Sequence, residues 1–236
     1  MLDARTPFRW DPTTGLATLA AAALCLVPAA GALAAWHLQV DLAAVLRWAV
    51  LPALLLLGAL EVFLVNRSPL LFNRLAAGLA GGLVATLGLD LVRLPAAYLF
   101  HIVPDVVPTL GQLALGETIG IAPSLAAYAV GYGYSYLLIG ALLGAAYSLV
   151  LGKSHWQRGL AASLAAGLAF AFLPQFQLTV VGMGFDLVAA STVVVTAFAA
   201  AGLLLGSLVQ RFGRTEANAF RVVFLRTTEV EELAVH

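Results

Sequence analysis

Six apolar runs, each long enough to cross a lipid bilayer as a helix, occupy most of this 236-residue chain. A hydrocarbon core about 30 Å thick needs roughly 20 residues of helix, and a backbone in lipid must satisfy its own hydrogen bonds. Hydrophobic residues make up 62% of the chain and charged residues 10%, a composition that excludes water-soluble enzymes and nucleic-acid-binding proteins. The sequence therefore predicts an all-α polytopic membrane protein with a six-helix transmembrane bundle. The predicted helices cover residues 16–36, 43–65, 75–100, 121–151, 159–181 and 187–209, and a cytoplasmic tail covers 210–236.

The basic residues indicate which helix ends face the cytoplasm. Ten of the twelve lie before the first run, after the sixth, or in the turns after the second and fourth. The other three connections, at 37–42, 101–120 and 182–186, contain no Lys or Arg. The positive-inside rule therefore predicts that both termini are cytoplasmic. The outer half holds two arginines and five carboxylates: Arg47, Arg93, Asp41, Asp90, Asp105, Glu117 and Asp186.

Ionisable residues inside predicted helices are the first candidates for function, because charge at bilayer depth is costly. There are four of them: Arg47, Glu61, Asp90 and Arg93. Asp90 and Arg93 are i, i+3 neighbours, so we expect an ion pair that pins the third helix, with a proton or cation relay as the alternative. Glu61 lies about 9 Å along its helix from Arg67. We expect Glu61 to reach the cytoplasmic interface or to pair with Arg67 or Arg74.

Tyrosines and small residues recur at four-residue spacing, which places them on single helix faces. Tyr128, Tyr132 and Tyr136 lie in the outer half of the fourth helix. Their spacing predicts aromatic anchors at the outer interface, with a tyrosine-lined ligand cleft as the alternative. The small residues predict close helix packing. They fall on three helices: Gly78, Gly82 and Thr86; Gly140, Gly144 and Ser148; and Gly202 and Gly206.

The long outer connection offers the other candidate site. Its apolar residues from Val106 to Leu113 favour a short interfacial helix. His37 and His101 end the first and third predicted helices, so they are candidate ligands of a haem or divalent metal at the outer face. Otherwise we expect no cofactor, because the single cysteine, Cys25, excludes a cysteine-based zinc or iron–sulfur site. No local catalytic motif is present, so we expect no enzymatic activity and no catalytic residues.

Three short patterns in residues 74–152 carry a resemblance to a family. They are Gly81-Gly-Leu-Val-Ala-Thr86 continuing to Asp90, Asp105-Val-Val-Pro-Thr-Leu-Gly111, and Gly140-x-x-x-Gly144-x-x-Tyr147. Together they resemble a pattern in small uncharacterised polytopic inner-membrane proteins of bacteria. That pattern has a histidine near the middle of the fourth helix. This chain has the segment from Tyr132 to Tyr136 in its place. The resemblance implies a bacterial inner-membrane protein and no particular activity.

These observations favour an accessory or structural subunit of a larger membrane complex, such as a respiratory or photosynthetic electron-transfer complex. Its partners would be membrane lipids and other membrane subunits, and no nucleic acid. The alternative is a small transporter or channel for protons, ions or a small solute, using Asp90, Arg93, Glu61 and the tyrosines. A third hypothesis is an outer-face haem or metal protein that uses His37 and His101.

Overall fold

The computed structural model describes residues 12–38, 40–67, 69–118 and 122–213, and all regular structure in these ranges is helical. The predicted tail beyond Gly213 lies outside the described residues. The helices are α1 (Pro12–Leu38), α2 (Leu42–Val45, a π-helical segment Leu46–Val50, and Leu51–Arg67), α3 (Pro69–Tyr98), α4 (Val107–Leu115), α5 (Leu125–Gly133, a π-helical segment Tyr134–Gly140, and Ala141–Leu151), α6 (Trp156–Ala171), α7 (Pro174–Gly182) and α8 (Leu187–Phe212).

Five of these helices are long and apolar enough to cross a membrane: α1, α2, α3, α5 and α8. The helix pair α6 and α7 adds a sixth span if the two are counted together. Their length and composition are those of a multi-pass membrane protein.

The fifth apolar run is not the single helix predicted over 159–181. It forms α6 and α7, which meet at an angle of 60°. Pro174 causes the break, because proline has no N–H to donate and disfavours helical geometry in the residue before it. Leu173 accordingly has extended backbone angles (φ −65°, ψ 127°). The side chain of Gln177 donates to the carbonyl of Ala171, one of the acceptors that the break leaves without a helical partner.

Capping side chains set where three helices begin at one end of the bundle, the end that is predicted to face outward and is called the outer end below. The carboxylate of Asp41 accepts the N–H of Ala43 at the start of α2, and that of Asp186 accepts the N–H of Ala189 at the start of α8. Ser124 accepts the N–H of Ala127 in the same way, so α5 begins at Leu125 and not at residue 121 as predicted. These side chains satisfy backbone donors that have no partner within their own helix.

The long helices pack side by side, with the most extensive contacts between α6 and α8, α8 and α3, α3 and α5, and α5 and α1, while α2 contacts both α1 and α3. The short helix predicted in the outer connection forms as α4. It packs on the outer half of α5, where a Cβ on Gly131 would overlap the carbonyl oxygen of Val107. Gly111 and Gln112 of α4 are buried in this contact. The outer connection is therefore part of the bundle.

Glycines allow the backbones of α3 and α5 to touch. A Cβ on Gly78 would lie 2.5 Å from the carbonyl oxygen of Gly144, and one on Gly82 would overlap the carbonyl oxygen of Gly140. The crossing of α6 and α8 uses the same device, with Gly159 against Gly202 and Gly206. Close approach of this kind is what holds helices together in lipid, where burial of apolar side chains contributes little.

Gly82→Ala should therefore destabilise the bundle by about 2 kcal/mol, because the added methyl group has to force α3 and α5 apart. Thermal unfolding in detergent should show a lower midpoint than the native chain. Gly58→Ala is the matched control, since a Cβ there meets nothing within 4 Å. An alanine in that helix position should leave the midpoint unchanged or raise it. Equal midpoints for the two variants would contradict the role of Gly82.

Candidate functional site

The glycine crossing fixes which side chains meet farther out along α3 and α5. The two helices are antiparallel, so residues equally far from the contact between Gly82 and Gly140 lie at similar heights. Two turns outward from it stand Asp90 on α3 and Tyr132 on α5. One turn outward on α5 stands Tyr136. The packing therefore brings the carboxylate of α3 beside the tyrosines of α5.

Asp90 and Arg93 form the expected ion pair, and both are buried, at 4% and 7% exposure. Asp90 Oδ1 accepts from Arg93 Nη2 at 2.7 Å and from Arg93 Nε at 2.9 Å. The hydroxyl of Tyr136 donates to the other oxygen, Oδ2, at 2.7 Å. This pair is thus tied to α5 as well as to its own helix.

A second carboxylate, from the connection between α3 and α4, completes the cluster. Asp105 Oδ1 forms an ion pair with Arg93 Nη1 and accepts the backbone N–H of Val107. Asp105 Oδ2 accepts the hydroxyls of Tyr98, at 2.7 Å, and of Tyr132, at 3.0 Å. The guanidinium carbon of Arg93 also lies 5.8 Å from the centre of the Tyr132 ring. We call these six residues the outer cluster: Tyr98, Asp90, Arg93, Asp105, Tyr132 and Tyr136.

Every carboxylate oxygen in the outer cluster already accepts at least one hydrogen bond from this chain. Arg93 likewise donates through Nε and both terminal nitrogens. A buried polar network that is satisfied in this way holds its members rigidly in place. The outer cluster therefore fastens the outer connection to α3 and α5.

The outer cluster nevertheless has an excess of acid. It contains two carboxylates and a single guanidinium, so its formal charge is −1 when both carboxylates are ionised. Burial raises the pKa of Asp105, but the charge of Arg93 and hydrogen bonds from Tyr98, Arg93 and the Val107 N–H lower it by more. The net result is a pKa below the ordinary value of 3.8. Asp105 thus stays ionised near neutral pH.

Asp105 was not predicted as a partner of Arg93, and Tyr98 was not predicted as a site residue. The available signal was the short connection, since eight residues separate the end of α3 at Tyr98 from the start of α4 at Val107. A connection this short keeps Asp105 close to the end of α3, the helix that carries Arg93. Spacing along one helix predicts pairs such as Asp90 and Arg93, but it does not predict which loop residues fold back to contact that helix.

The tyrosines of α5 form hydrogen bonds that their spacing does not predict. Tyr132 and Tyr136 each donate a hydrogen bond to a buried carboxylate, as described above. Tyr128 is half-buried one turn farther out. Tyr134, on a different face of α5, is buried and donates to the carbonyl of Pro28 in α1 at 2.7 Å. The same short segment thus bonds to α1 on one side and to the outer cluster on the other.

The two candidate ligand histidines, His37 and His101, take part in backbone features of the described structure. The exposed His101 has a φ of 51°, a left-handed conformation that is uncommon outside glycine, and it lies where α3 ends. The carbonyl of His37 accepts from the side chain of Gln175. Among the described residues, no three His, Cys, Asp or Glu side chains are placed to hold a metal ion.

The two remaining ionisable candidates lie apart from the outer cluster. Arg47 is exposed on α2. Glu61 is half-buried toward the other end of α2, and it forms no ion pair with Arg74. The side chain of Arg67, the other expected partner, lies outside the described residues.

Comparison of the chain with protein-family models, with curated proteins and with solved structures finds no match.

Asp105 should make the stability of the bundle depend on pH in acid. Because folding lowers the pKa of this carboxyl, its ionised form stabilises the folded state above pH 3.8. That contribution is lost as the pH falls through the lowered pKa of the folded state. Unfolding midpoints measured from pH 7 to pH 2.5 should therefore drop for the native chain, and Asp105→Asn should remove part of the drop.

Asp105→Asn should also lower the midpoint at pH 7, since it replaces the ionised partner of Arg93 by a neutral amide. Asp186→Asn serves as the control, because asparagine caps a helix as well as aspartate does. The control should keep the native midpoint at pH 7. A midpoint for Asp105→Asn that matches the native chain at every pH would contradict the role of Asp105.

Proposed function

We propose that the chain is a six-span protein of a bacterial inner membrane with both termini in the cytoplasm. The distribution of Lys and Arg supports this orientation. The bent pair supplies the sixth span: the 16 residues of α6 reach about 24 Å, and the 9 residues of α7, tilted by 60°, add about 7 Å. Their sum is close to the thickness of a hydrocarbon core, about 30 Å.

Within that membrane, we propose that the chain is an accessory subunit that braces a larger complex. The observation that carries this proposal is the saturation of the outer cluster. Its carboxylates and guanidinium are engaged by donors and acceptors of the chain itself. A polar site arranged in this way holds structure, whereas a site for a reacting or transported group keeps a coordination position open.

The packing below the outer cluster supports the same role. Between Asp90 and the buried Ser148, the faces of α3 and α5 meet through Gly78, Gly82, Gly140 and Gly144. Backbone contact leaves no room for water along that face. The interface of α3 with α5 is therefore suited to rigidity, and it separates the outer cluster from the opposite end of the bundle.

The first experiment is to solubilise the chain gently from its own membrane and to measure the mass of the native particle. An accessory subunit should run in a stoichiometric particle far heavier than the 24.5 kDa of the chain, and mass spectrometry should identify other membrane proteins in it. A monomer or a homo-oligomer that contains no other protein would overturn the proposal.

A second candidate function, a small transporter for protons or cations, is favoured by the excess carboxylate of the outer cluster. The formal charge of −1 in a buried site is a charge that a proton or a cation would neutralise. Asp90 and Asp105 share one guanidinium, so Arg93 neutralises only one of the two carboxylate charges.

A flux assay distinguishes the two candidates. For a transporter, the purified chain in liposomes should carry protons under an imposed potential, and Asp90→Asn should abolish this flux without unfolding the bundle. Asp186→Asn, a matched change outside the outer cluster, should transport normally. Proton and cation flux no greater than in protein-free liposomes would eliminate the transporter and leave the accessory subunit.

A further inference from the structure

One face of α2 is exposed along most of the helix. It carries an arginine and a glycine among large apolar side chains: Arg47, Leu51, Leu55, Gly58 and Val62. Their spacing of three or four residues places them on one side of the helix. We call these five residues the open face. Val50 and Leu57 lie on a different side of α2, where they are buried against α1.

Gly58 has no packing role within the part of the chain that the structure describes. A Cβ there meets nothing within 4 Å, whereas one on Gly31, Gly82 or Gly202 would lie within 3 Å of a neighbouring helix. Glycine inside a helix is less favourable than alanine, and no contact of Gly58 with the described residues offsets that cost. A second helix that approaches α2 closely would offset it, because small residues are where membrane helices meet.

Arg47 brings a positive charge to the open face, about 8 Å along α2 from its first residue, Leu42. Each carboxylate at the outer end has another partner: Asp41 and Asp186 cap helices, Glu117 accepts from Ser124, and Asp90 and Asp105 pair with Arg93. The residues of the outer connections that lie outside the described ranges, 39 and 119–121, contain no Asp or Glu. Residues before Pro12 and beyond Gly213 join the bundle at its other end. The outer end of the chain therefore provides no counter-charge for Arg47.

A charge on an otherwise apolar helix face is costly at membrane depth, and such charges pair with other charged groups. A second copy of this chain is an unsuitable partner, because two open faces packed about a two-fold axis along the membrane normal would bring Arg47 against Arg47. A lipid phosphate would meet Arg47, but it gives no reason for a glycine at position 58. A helix that carries a carboxylate near its outer end satisfies both residues.

We propose that the open face of α2 binds a membrane-spanning helix of a partner subunit, and that this helix presents an Asp or Glu to Arg47. The partner helix contacts the backbone of α2 at Gly58, in the way that α3 contacts α5 and α6 contacts α8 within the chain. Trp48, which is 77% exposed beside Arg47, lies at the edge of this interface. The inference rests on the accessory role proposed above, and it identifies the surface that this role uses.

The test measures how much of each variant runs in the heavy native particle after mild solubilisation of its own membrane. Gly58→Leu should lower that fraction at least about fivefold, because the larger side chain keeps the partner helix away. Arg47→Gln should lower it at least about tenfold, because the carboxylate of the partner is left unpaired. Ala80→Leu, a similar increase in size at an exposed position of α3, should leave the fraction unchanged.

Two further measurements separate loss of the interface from loss of the fold. Gly58→Leu and Arg47→Gln should keep the unfolding midpoint of the purified native chain in detergent. A photo-crosslinking residue at position 55 should join the chain to a membrane protein of the particle. Arg47→Asp, combined with an arginine in place of the carboxylate on that partner, should restore the particle that Arg47→Asp alone disrupts.

The interface and the accessory role can fail separately. A heavy particle that Gly58→Leu and Arg47→Gln both leave intact would overturn the assignment of the open face, while the accessory role would stand. Crosslinks from position 55 to lipid alone, or to a second copy of the chain, would overturn it as well. A native chain that runs without any other protein would overturn the accessory role itself, and this interface with it.

Discussion

Backbone contact between α3 and α5 is the constraint on which the rest of this bundle depends. In lipid, apolar side chains gain little by packing on one another, so helices associate where small residues allow close approach. Gly78 and Gly82 meet Gly144 and Gly140 at this crossing, and a methyl group at these positions has no room. The contact sets the register of the two antiparallel helices. The register also fixes which residues meet farther out along the two helices, including those of the outer cluster.

The outer cluster shows how the crossing becomes a polar site. Asp90 meets Tyr136 because both helices are fixed relative to one another two turns or less away. Arg93 then draws the connection after α3 inward through Asp105, and Asp105 in turn bonds to Val107 at the start of α4. The packing of α4 on α5 at Gly131 holds the following helix in place as well. The buried charges of the outer cluster thereby compensate one another and hold the outer connection in place.

The carboxylates of the outer cluster are compensated within the chain. At the outer end, Asp90 and Asp105 are both paired with Arg93 and are hydrogen-bonded by tyrosines. This arrangement supports the proposed bracing role within a membrane complex.

The sequence by itself determined the helical class, the apolar spans and the ion pair of Asp90 with Arg93, because hydrophobic runs, helix length and i, i+3 spacing are local properties. It did not place the bend at Pro174, since that apolar run continues through the proline. Tertiary structure alone decided that Asp105 and Tyr98 join Arg93 and that α4 packs on α5. These contacts join segments far apart along the chain or folded back by a loop, and no pattern within a single helix records which neighbour its side chains will meet.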